Sequence, residues 1–311
     1  MKPKVIVICG PTASGKTSLS IELAKRINGE IISCDSMQIY KDMTIGTAKP
    51  TVKEMDGVSH HLIDFVLPSE RYSVADFKKA ATQKIEEILG RNKTPIIVGG
   101  TGLYVDALVY NIEYLEFETD LKYRQELENL IEQKGLEELY EGAKQIDGQA
   151  MQSISKNDKK RIMRVLEIYH QTGKTKTQLE AESRLTPSPY DYIVFAITMD
   201  REKLYERINL RVDIMLENGL IEEVQSLLNK YKEFPTAMQG LGYKEVVEYL
   251  DGKTTKEEMI EKLKMETRRY AKRQLTWFRK NKDIKWIDGL APLEQNIQYI
   301  LEEYSGEEEN K

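Results

Sequence analysis

Residues 1–27 read MKPKVIVICGPTASGKTSLSIELAKRI, and this stretch decides which fold the chain can adopt. Its centre, Gly10 to Thr17, has the spacing G-x-x-x-x-G-K-[ST] of a phosphate-binding loop. The apolar run VIVIC before it is typical of a buried strand, and SLSIELAKRI after it carries its apolar residues at helical spacing. The order of strand, glycine-rich loop and helix therefore predicts a P-loop at the carboxyl end of a strand in a parallel sheet.

This predicted P-loop would hold an anion through its backbone and through two side chains. Its glycines let backbone N–H groups turn toward a phosphate, and the N-terminus of the following helix adds positive charge. Lys16 supplies a point charge, and the Thr17 hydroxyl is the expected protein ligand of a Mg²⁺ cofactor. The residues expected to bind the phosphate group are Gly10, Pro11, Thr12, Ala13, Ser14, Gly15, Lys16 and Thr17. The motif alone leaves open which phosphate ester binds.

Length and composition restrict the rest of the chain. The 311 residues allow a full α/β core and a second lobe, and 40% hydrophobic with 31% charged residues is the balance of a soluble globular protein. No apolar run approaches the ~20 residues that span a bilayer. We therefore expect a cytoplasmic protein without a membrane partner. Cys9 and Cys34 are expected to be buried, reduced thiols.

The net charge of −5 alone argues against a nucleic-acid partner, but the charge is unevenly distributed. The stretch from Lys262 to Lys285 holds ten Lys or Arg residues against two acidic ones, and a second basic cluster covers Lys156–Arg164. Acidic residues concentrate in the C-terminal LEEYSGEEENK, which we expect to be a frayed tail. A single cluster is compatible with a solvated helix face. Two clusters with interleaved aromatic residues predict a polyphosphate partner such as RNA.

Alternating patterns predict the domain organisation. VIVIC, EIISCD and TPIIVGG are β-rich runs separated by helical segments, and YIVFAITMD is a later one, which predicts an α/β fold with a P-loop NTPase-like parallel sheet core. Long polar helical patterns between about Thr119 and Ser183 predict an inserted all-helical lobe, and further helices follow the last strand. The predicted units are a core of residues 1–115 and 192–290, a lobe of residues 116–191, and a C-terminal segment of residues 291–311.

Two polar residues follow predicted strands, at the edge where open α/β sheets carry their chemistry. Asp35 comes directly after EIISC, and Thr101 lies in GGTGLY after TPIIV. An ordinary P-loop ATPase has an acidic magnesium ligand after a later strand, and IIVGGTGLY carries none. Thr101 instead offers a hydroxyl group where a leaving phosphate can be held.

Six motifs together resemble one family, the tRNA dimethylallyltransferases. They are GPTASGKT, CDSMQIY, GGTGLY, RINLRVDIMLENGLIEEV, QGLGYKE and AKRQLTWFR, in matching order from Val5 to about Trp286. The resemblance implies transfer of a dimethylallyl group from dimethylallyl diphosphate to the exocyclic amine of the adenosine 3′ of the anticodon, with release of diphosphate. The implied partners are dimethylallyl diphosphate, held by the P-loop, and the tRNA anticodon stem-loop. Nothing in the sequence indicates an obligate interface, so we expect a monomer.

This reaction gives four residues catalytic roles. Lys16 stabilises the charge on the departing diphosphate, and Thr101 can donate a hydrogen bond to its bridging oxygen. The resemblance adds Arg211 as a further diphosphate contact, although helical spacing alone allows Arg207 or Arg211. Asp35 is expected to accept the proton of the adenine amine, with magnesium coordination as the alternative role.

The adenosine must leave its loop to reach Asp35, and RNA loops are recognised through splayed bases and phosphates. Gln38 can hydrogen-bond the adenine edge, and Arg124 matches a family position near the RNA, with a solvated helix face as the alternative. Trp277 and Phe278 are expected to pack in the core. The residues expected to contact tRNA are Asp35, Ser36, Met37, Gln38, Thr101, Arg124, Lys159, Lys160, Arg161, Arg164, Gly242, Tyr243, Lys244, Lys272, Arg273, Gln274 and Arg279.

Three other functions are compatible with parts of the sequence. A small-molecule or nucleotide kinase fits the first hundred residues, but it does not require QGLGYKE or AKRQLTWFR. A non-enzymatic RNA-binding module does not require the P-loop, and a prenyltransferase acting on free adenine nucleotides does not require two basic clusters. The adjacent His60 and His61 lack the spaced partners of a zinc site, so we expect no zinc there.

Overall fold

The computed structural model describes residues 2–114, 120–183 and 185–306. The chain forms two compact units, one made of Met1–Leu108 and Pro189–Lys311 and the other of Val109–Ser188. The second unit begins and ends slightly earlier than the predicted lobe of residues 116–191. The predicted C-terminal segment belongs to the first unit rather than standing apart from it.

The first unit is built on a six-stranded parallel sheet with the strand order β3-β2-β4-β1-β5-β6. The strands are β1 (Lys4–Cys9), β2 (Gly29–Ser33), β3 (His60–His61), β4 (Thr94–Gly99), β5 (Asp191–Thr198) and β6 (Lys285–Asp288). The central strand β1 is buried almost throughout, which is why its sequence is an unbroken apolar run. The predicted α/β fold with a parallel sheet is confirmed.

The helices follow in chain order. They are α1 (Lys16–Arg26), α2 (Val52–Met55), α3 (Val74–Gly90), α4 (Gly102–Val109), α5 (Leu121–Lys134), α6 (Leu136–Ile146), α7 (Gly148–Met151), α8 (Lys159–Thr172), α9 (Lys176–Ser183), α10 (Arg201–Glu217), α11 (Leu220–Lys230), α12 (Tyr243–Leu250), α13 (Lys256–Phe278) and α14 (Leu293–Ser305), with a 3₁₀ turn at Ala237–Gln239. None of the helices in the described ranges is long and apolar enough to cross a membrane.

Two features of the first unit differ from the sequence analysis. The outer strands β3 and β6 were not predicted, because segments of two and four residues are too short to show a periodic pattern. The LEEYS part of the expected frayed tail is helical, since α14 continues to Ser305 and buries Ile297 and Ile300 in the same cluster as Ile6 and Phe195. Residues 307–311 of that tail lie outside the described residues.

A separate apolar cluster supports the chain that leaves β2. Tyr40 and Met43 pack with residues of α10 to α13, among them Val212, Tyr243 and Leu263. The segment after Asp35 therefore packs against the C-terminal helices.

The second unit has a core of its own. Leu127, Leu139, Ile162 and Val165 belong to one buried cluster contributed by α5, α6 and α8. Asp147 accepts hydrogen bonds from the Thr177 N–H at 2.9 Å and the Thr177 hydroxyl at 2.6 Å, which ties the start of α7 to α9. The α-helical character predicted for the lobe is observed in its described residues.

Candidate active site

The P-loop, Gly10–Thr17, connects β1 to α1 in a conformation that needs its glycines. Gly10 has a φ of 145°, and a Cβ there would lie 3.0 Å from the carbonyl oxygen of Ile197. Ala13 and Gly15 also have positive φ values, of 62° and 92°. Within the described residues no side chain caps the start of α1, so its first amides are left for a ligand.

Lys16 lies over the P-loop with its charge partly desolvated. Its Nζ donates to the carbonyl oxygens of Gly10 at 3.0 Å and Pro11 at 2.7 Å. Burial and, secondarily, the charge of Arg211 lower the pKa of Lys16 to about 8, with the charge of Asp35 acting in the opposite direction. A desolvated ammonium group beside a second cation is stabilised when an anion binds between them.

Arg211 is the second cation of the site, and it points into the protein from α10. Burial lowers its pKa, while the charges of Asp35 and Glu54 act against that shift. Its buried Nε has no hydrogen-bond partner among the described residues. A buried N–H group without an acceptor is costly, so this group fits a site that an anion completes. Arg207, four residues earlier, is exposed, so of the two candidates the structure brings only Arg211 to Lys16.

Asp35 follows β2 and divides its two carboxylate oxygens between two environments. Its Oδ1 accepts hydrogen bonds from the backbone N–H groups of Met37 at 2.8 Å and Gln38 at 3.3 Å. Its Oδ2 has no hydrogen bond within the part of the chain that the structure describes. One oxygen therefore fixes the turn while the other is available to a substrate, within electrostatic range of Lys16 and Arg211.

Thr101 lies next to the same turn, as its place after a neighbouring strand predicted. Its Oγ1 accepts a hydrogen bond from the Ser36 N–H at 3.0 Å, and its own N–H donates to the Cys34 carbonyl at 3.3 Å. Its side chain also hydrogen-bonds that of Tyr270 on α13. The structure thus brings Asp35, Ser36 and Thr101 together at the carboxyl edge of the sheet.

Gln38 is occupied within the protein. Its Nε2 donates to the carbonyl oxygens of Thr47 and Ala48, both at 3.3 Å, and its Oε1 accepts from the Ser33 hydroxyl at 3.1 Å. The predicted contact between this amide and an adenine edge therefore requires these bonds to be exchanged. In the observed conformation Gln38 holds the loop after Met43.

Tyr243 of the QGLGYKE segment helps to hold the same loop, the one that follows Met43. Tyr243 is only 1% exposed, and its hydroxyl donates to Glu223 Oε1 at 2.7 Å. The Glu223 carboxylate also accepts the N–H groups of Thr44, Ile45 and Gly46 at 2.9, 2.7 and 3.1 Å. The prediction that Tyr243 lines an RNA path does not fit this position, because the ring is enclosed and its hydroxyl is taken.

The two neighbours of Tyr243 in the predicted RNA contacts have different positions. Gly242 is buried and has a φ of 95°, so it provides the turn into α12, and its N–H donates to Glu245. Lys244 is exposed. Met37 packs against the same segment, since a Cβ at Gly240 would lie 2.3 Å from its Cε.

Gln274 on α13 is also placed differently from the prediction. It is 6% exposed, its Oε1 accepts the Thr12 N–H at 3.0 Å, and its Nε2 donates to the Gly100 carbonyl at 2.9 Å. An RNA contact does not fit this side chain, because both ends of the amide are used inside the protein. The Thr12 N–H is likewise unavailable to a phosphate while this bond exists.

Exposed basic residues occur in the second half of α13 and directly after it. Lys272, Arg273 and Arg279 are exposed, and none has a carboxylate partner among the described residues. Three cations nearer the start of this helix are ion-paired: Lys262 with Glu248, Lys264 with Asp213, and Arg269 with Glu266. The second half of the helix therefore presents positive charge that the protein itself does not neutralise.

In the second unit the predicted RNA contacts lie on α8 and α5. Lys159, Lys160 and Arg161 occupy the first turn of α8 and are exposed, where the helix dipole disfavours cations. Arg161 pairs with Asp158 at 3.2 Å, and Glu167 lies 3.7 Å from Arg164. Arg124 of α5 also approaches Glu167, at 3.5 Å. A bound polyanion would offset the unfavourable charges at the start of α8.

The positions of the two cysteines, His61 and Phe278 do not suit ligand binding. Burial raises the pKa of the Cys9 thiol to about 12, and Cys34 is also buried and free. His61 lies 2.7 Å from Glu30, whose pKa is raised by burial but lowered overall to about 2 by Arg91, Lys93 and His61. Phe278 is buried as expected.

The ligands available at the P-loop fit a magnesium ion that is bound partly by water and substrate rather than by protein side chains alone. The described residues contain no group of three or more His, Cys, Asp or Glu side chains placed to hold a metal ion. Magnesium typically uses few protein oxygens and completes its shell with water and substrate phosphates. The exposed Thr17 hydroxyl, without a hydrogen bond in the described ranges, fits such a role beside a bound diphosphate.

The sequence alone did not indicate a role at this site for Glu223 or Tyr270, and it predicted a different role for Gln274. All three lie on C-terminal helices and act on loops more than 150 residues earlier in the chain. The only local sign was that QGLGYKE and AKRQLTWFR carry polar residues that a simple amphipathic helix does not need.

Comparison with known proteins agrees with this geometry. A curated relative from Acetivibrio thermocellus, described as a tRNA dimethylallyltransferase, is 51% identical over 303 residues, which cover 96% of this chain and 97% of that protein. The solved structure of the full-length tRNA isopentenylpyrophosphate transferase from Bacillus halodurans is 45% identical, with a TM-score of 0.74 and coverage of 98% and 96%. A eukaryotic dimethylallyltransferase acting on tRNA is 33% identical, with a TM-score of 0.81 and coverage of 98% and 79%. The family model for IPP transferase matches residues 38–281, and this chain belongs to that family.

Proposed function

We propose that the protein transfers the dimethylallyl group of dimethylallyl diphosphate to the exocyclic amine of the adenosine 3′ of the anticodon in tRNA. The observation that carries this proposal is that two partly buried cations, Lys16 and Arg211, lie within electrostatic range of each other and of the Asp35 carboxylate at the carboxyl edge of the sheet. The cations suit a diphosphate leaving group, and the carboxylate suits an amine that must lose a proton. We assign the reaction to the cytoplasm and to a monomer.

The P-loop and Arg211 bind the diphosphate in this proposal. Lys16 exchanges the Gly10 and Pro11 carbonyl oxygens for diphosphate oxygens, and the Arg211 Nε–H gains the acceptor that it lacks in the protein alone. The Thr17 hydroxyl would hold magnesium here, and the ion would supply further positive charge to stabilise the leaving group.

The chemical step exchanges one bond for another. The amine nitrogen forms a bond to the allylic carbon, the carbon–oxygen bond to diphosphate breaks, and its electron pair leaves with the diphosphate. The amine proton passes to Asp35 Oδ2, because Oδ1 is held by the backbone of Met37 and Gln38. Thr101 lies beside this turn, and its hydroxyl group can donate a hydrogen bond to the bridging oxygen in place of its present one to the Ser36 hydroxyl.

The tRNA is bound through cations on both units. On α13 and directly after it these are Lys272, Arg273 and Arg279, and on α8 they include Lys159 and Lys160, all exposed and without carboxylate partners in the described residues. Cations of this kind neutralise RNA phosphates and release counterions. A kinase acting on a small acceptor does not need them, and membership of the IPP transferase family does not favour that alternative.

The test is to incubate the protein with magnesium, dimethylallyl diphosphate and unmodified bulk tRNA, and to analyse the nucleosides of the digested tRNA by mass spectrometry. Prenylated adenosine is expected with tRNA and not with free AMP as the acceptor. Prenylation of AMP alone would support the free-nucleotide alternative. Absence of prenylated adenosine, together with ATP turnover on a small acceptor, would overturn the proposal in favour of a kinase.

A further inference from the structure

One face of α13 contacts three consecutive residues after β4, namely the loop residues Gly100 and Thr101 and the first residue of α4, Gly102. Tyr270, Gln274 and Trp277 are spaced by four and three residues, so they share a face of the helix. Tyr270 hydrogen-bonds Thr101, and Gln274 hydrogen-bonds the carbonyl of Gly100. Trp277 packs on Gly102, where a Cβ would lie 2.3 Å from its ring, and donates from Nε1 to Asp106 at 2.9 Å. This face of α13 therefore packs closely against the residues around Thr101, here called the Thr101 loop.

Gln274 differs from its two neighbours because it reaches a second loop as well. Its Oε1 accepts the Thr12 N–H of the P-loop at 3.0 Å while its Nε2 donates to Gly100 at 2.9 Å. A single buried amide therefore connects the loop after β1 to the loop after β4. Since β1 and β4 are hydrogen-bonded neighbours, the bridge joins their carboxyl ends beyond the end of the ladder.

The glycine at position 100 is explained by this bridge. A Cβ there would lie 2.1 Å from Gln274 Nε2, a separation at which one of the two groups must move. The backbone of Gly100 does not have a positive φ, so the conformation itself does not demand glycine. The side chain of Gln274 makes the closest contact with such a Cβ, and the Gly10 carbonyl oxygen follows at 3.2 Å.

We propose that Gln274 is a positioning residue for the prenyl transfer: its amide fixes the P-loop against the Thr101 loop and so holds the diphosphate site at a set distance from Asp35 and Thr101. The inference rests on the proposed function. Gln274 acts through the two loops and touches neither substrate. Misplacement of reacting groups by about 1 Å costs up to about 100-fold in rate, so loss of the bridge affects the chemical step first.

The first test compares Gln274→Met with Gln298→Met. Methionine has a similar length and fills the space, but it removes both hydrogen bonds. Gln298 is an exposed glutamine on α14 whose amide hydrogen-bonds only Glu302 among the described residues, so it serves as the control. We expect Gln274→Met to slow single-turnover prenylation at saturating substrates by about 10–100-fold, with an unchanged Kd for tRNA and a several-fold weaker Kd for inorganic diphosphate. Gln298→Met should behave as wild type in all three measurements.

A second test uses the clash at Gly100. Gly100→Ala should displace Gln274 and reproduce the slow single-turnover rate. In a Gln274→Ala background the closest contact of the new methyl group is removed, while the Gly10 carbonyl oxygen stays at 3.2 Å, so Gly100→Ala should then cost much less further rate than in wild type. A double-mutant cycle with this strong coupling supports the bridge, and independent, multiplying losses would overturn it.

Three further results would overturn the inference. A weaker Kd for tRNA with an unchanged saturating rate would make Gln274 an RNA contact. A lower unfolding temperature with an unchanged rate well below that temperature would make its role structural only. A normal rate and normal diphosphate affinity would mean that the bridge is dispensable. If wild type forms no prenylated adenosine, the proposed function fails, and diphosphate binding by Gln274→Met still decides whether the amide organises the P-loop.

Discussion

Asp35 separates a structural task from a chemical one within a single carboxylate group. Oδ1 holds the N–H groups of Met37 and Gln38, which leaves Oδ2 for the amine of the substrate. Asparagine at this position keeps an acceptor for the two N–H groups and loses the ability to take a proton. This difference allows the chemical role to be tested without loss of the turn.

We predict that Asp35→Asn slows the chemical step by about 10²–10⁴-fold, the usual effect of a positioned general base. Binding of tRNA and of dimethylallyl diphosphate should be no weaker than in wild type, because the substitution removes a negative charge near Lys16 and Arg211. Single-turnover assays across a magnesium titration provide the measurement. Recovery of the rate at high magnesium would show instead that Asp35 is a metal ligand.

The lowered pKa of Lys16 predicts that ligand binding is accompanied by proton uptake. In the free protein burial holds its pKa at about 8, and a bound diphosphate stabilises the charged form and raises that pKa. Above about pH 8 binding must therefore add a proton to Lys16, and the affinity for diphosphate should fall as the pH rises. Calorimetry in buffers of different ionisation enthalpy at pH 7 and pH 9 measures the uptake.

The control for this prediction is Lys16→Met, which has no group to protonate and should show weaker binding without the added uptake. Equal proton exchange at both pH values in wild type would contradict the assigned role. Inorganic diphosphate titrates in the same range, so dimethylallyl diphosphate is the better ligand for this experiment.

At the scale of elements, α13 performs two tasks. Its side chains Tyr270, Gln274 and Trp277 contact the residues around Thr101. Exposed positions in its second half, Lys272 and Arg273, carry cations that lack carboxylate partners in the described residues, which suits an RNA backbone.

We predict that Lys272→Ala with Arg273→Ala lowers the salt dependence of tRNA binding by about two in the slope of log K against log salt. Dimethylallyl diphosphate binding should change little, because both side chains are exposed. Filter binding at several salt concentrations is the measurement. The matched control removes Lys262 and Arg269 of the same helix, which are already paired with Glu248 and Glu266 and should affect the slope less. Equal slopes for both double variants would show that the pairing state of these cations does not matter.

At the scale of the whole molecule, tRNA is proposed to contact both compact units. Each has its own apolar core, so changes at the start of α8 should not disturb the catalytic unit. Contacts to well-separated phosphates contribute independently to the free energy of binding.

We predict that Lys159→Ala with Lys160→Ala reduces the salt slope of tRNA binding by about two, and that combining it with Lys272→Ala and Arg273→Ala gives the sum of both losses. Diphosphate protection against thermal unfolding should stay at the wild-type level in the α8 variant. A wild-type salt slope in that variant would remove α8 from the tRNA interface.

Local sequence patterns carried much of the prediction. The P-loop was recognisable because its glycines, lysine and threonine have fixed spacing between a strand and a helix, and the four longer strands were recognisable as apolar runs. Asp35 and Thr101 followed from the rule that parallel strands bring their carboxyl ends to one edge. The short strands β3 and β6 had no pattern to reveal them, and the charge of LEEYS concealed the apolar face of α14.

The sequence by itself determined the parallel sheet, the P-loop and the residues that follow its strands, because each depends on spacing within a few neighbouring residues. Only the tertiary structure decided that Arg211 rather than Arg207 meets Lys16, and that Tyr243 and Gln274 support loops instead of facing RNA. Gln274 lies 262 positions from the Thr12 amide that it holds and 174 positions from Gly100. No local pattern records such partners, because a buried amide and an exposed one on the same helix look alike until the chain has folded around one of them.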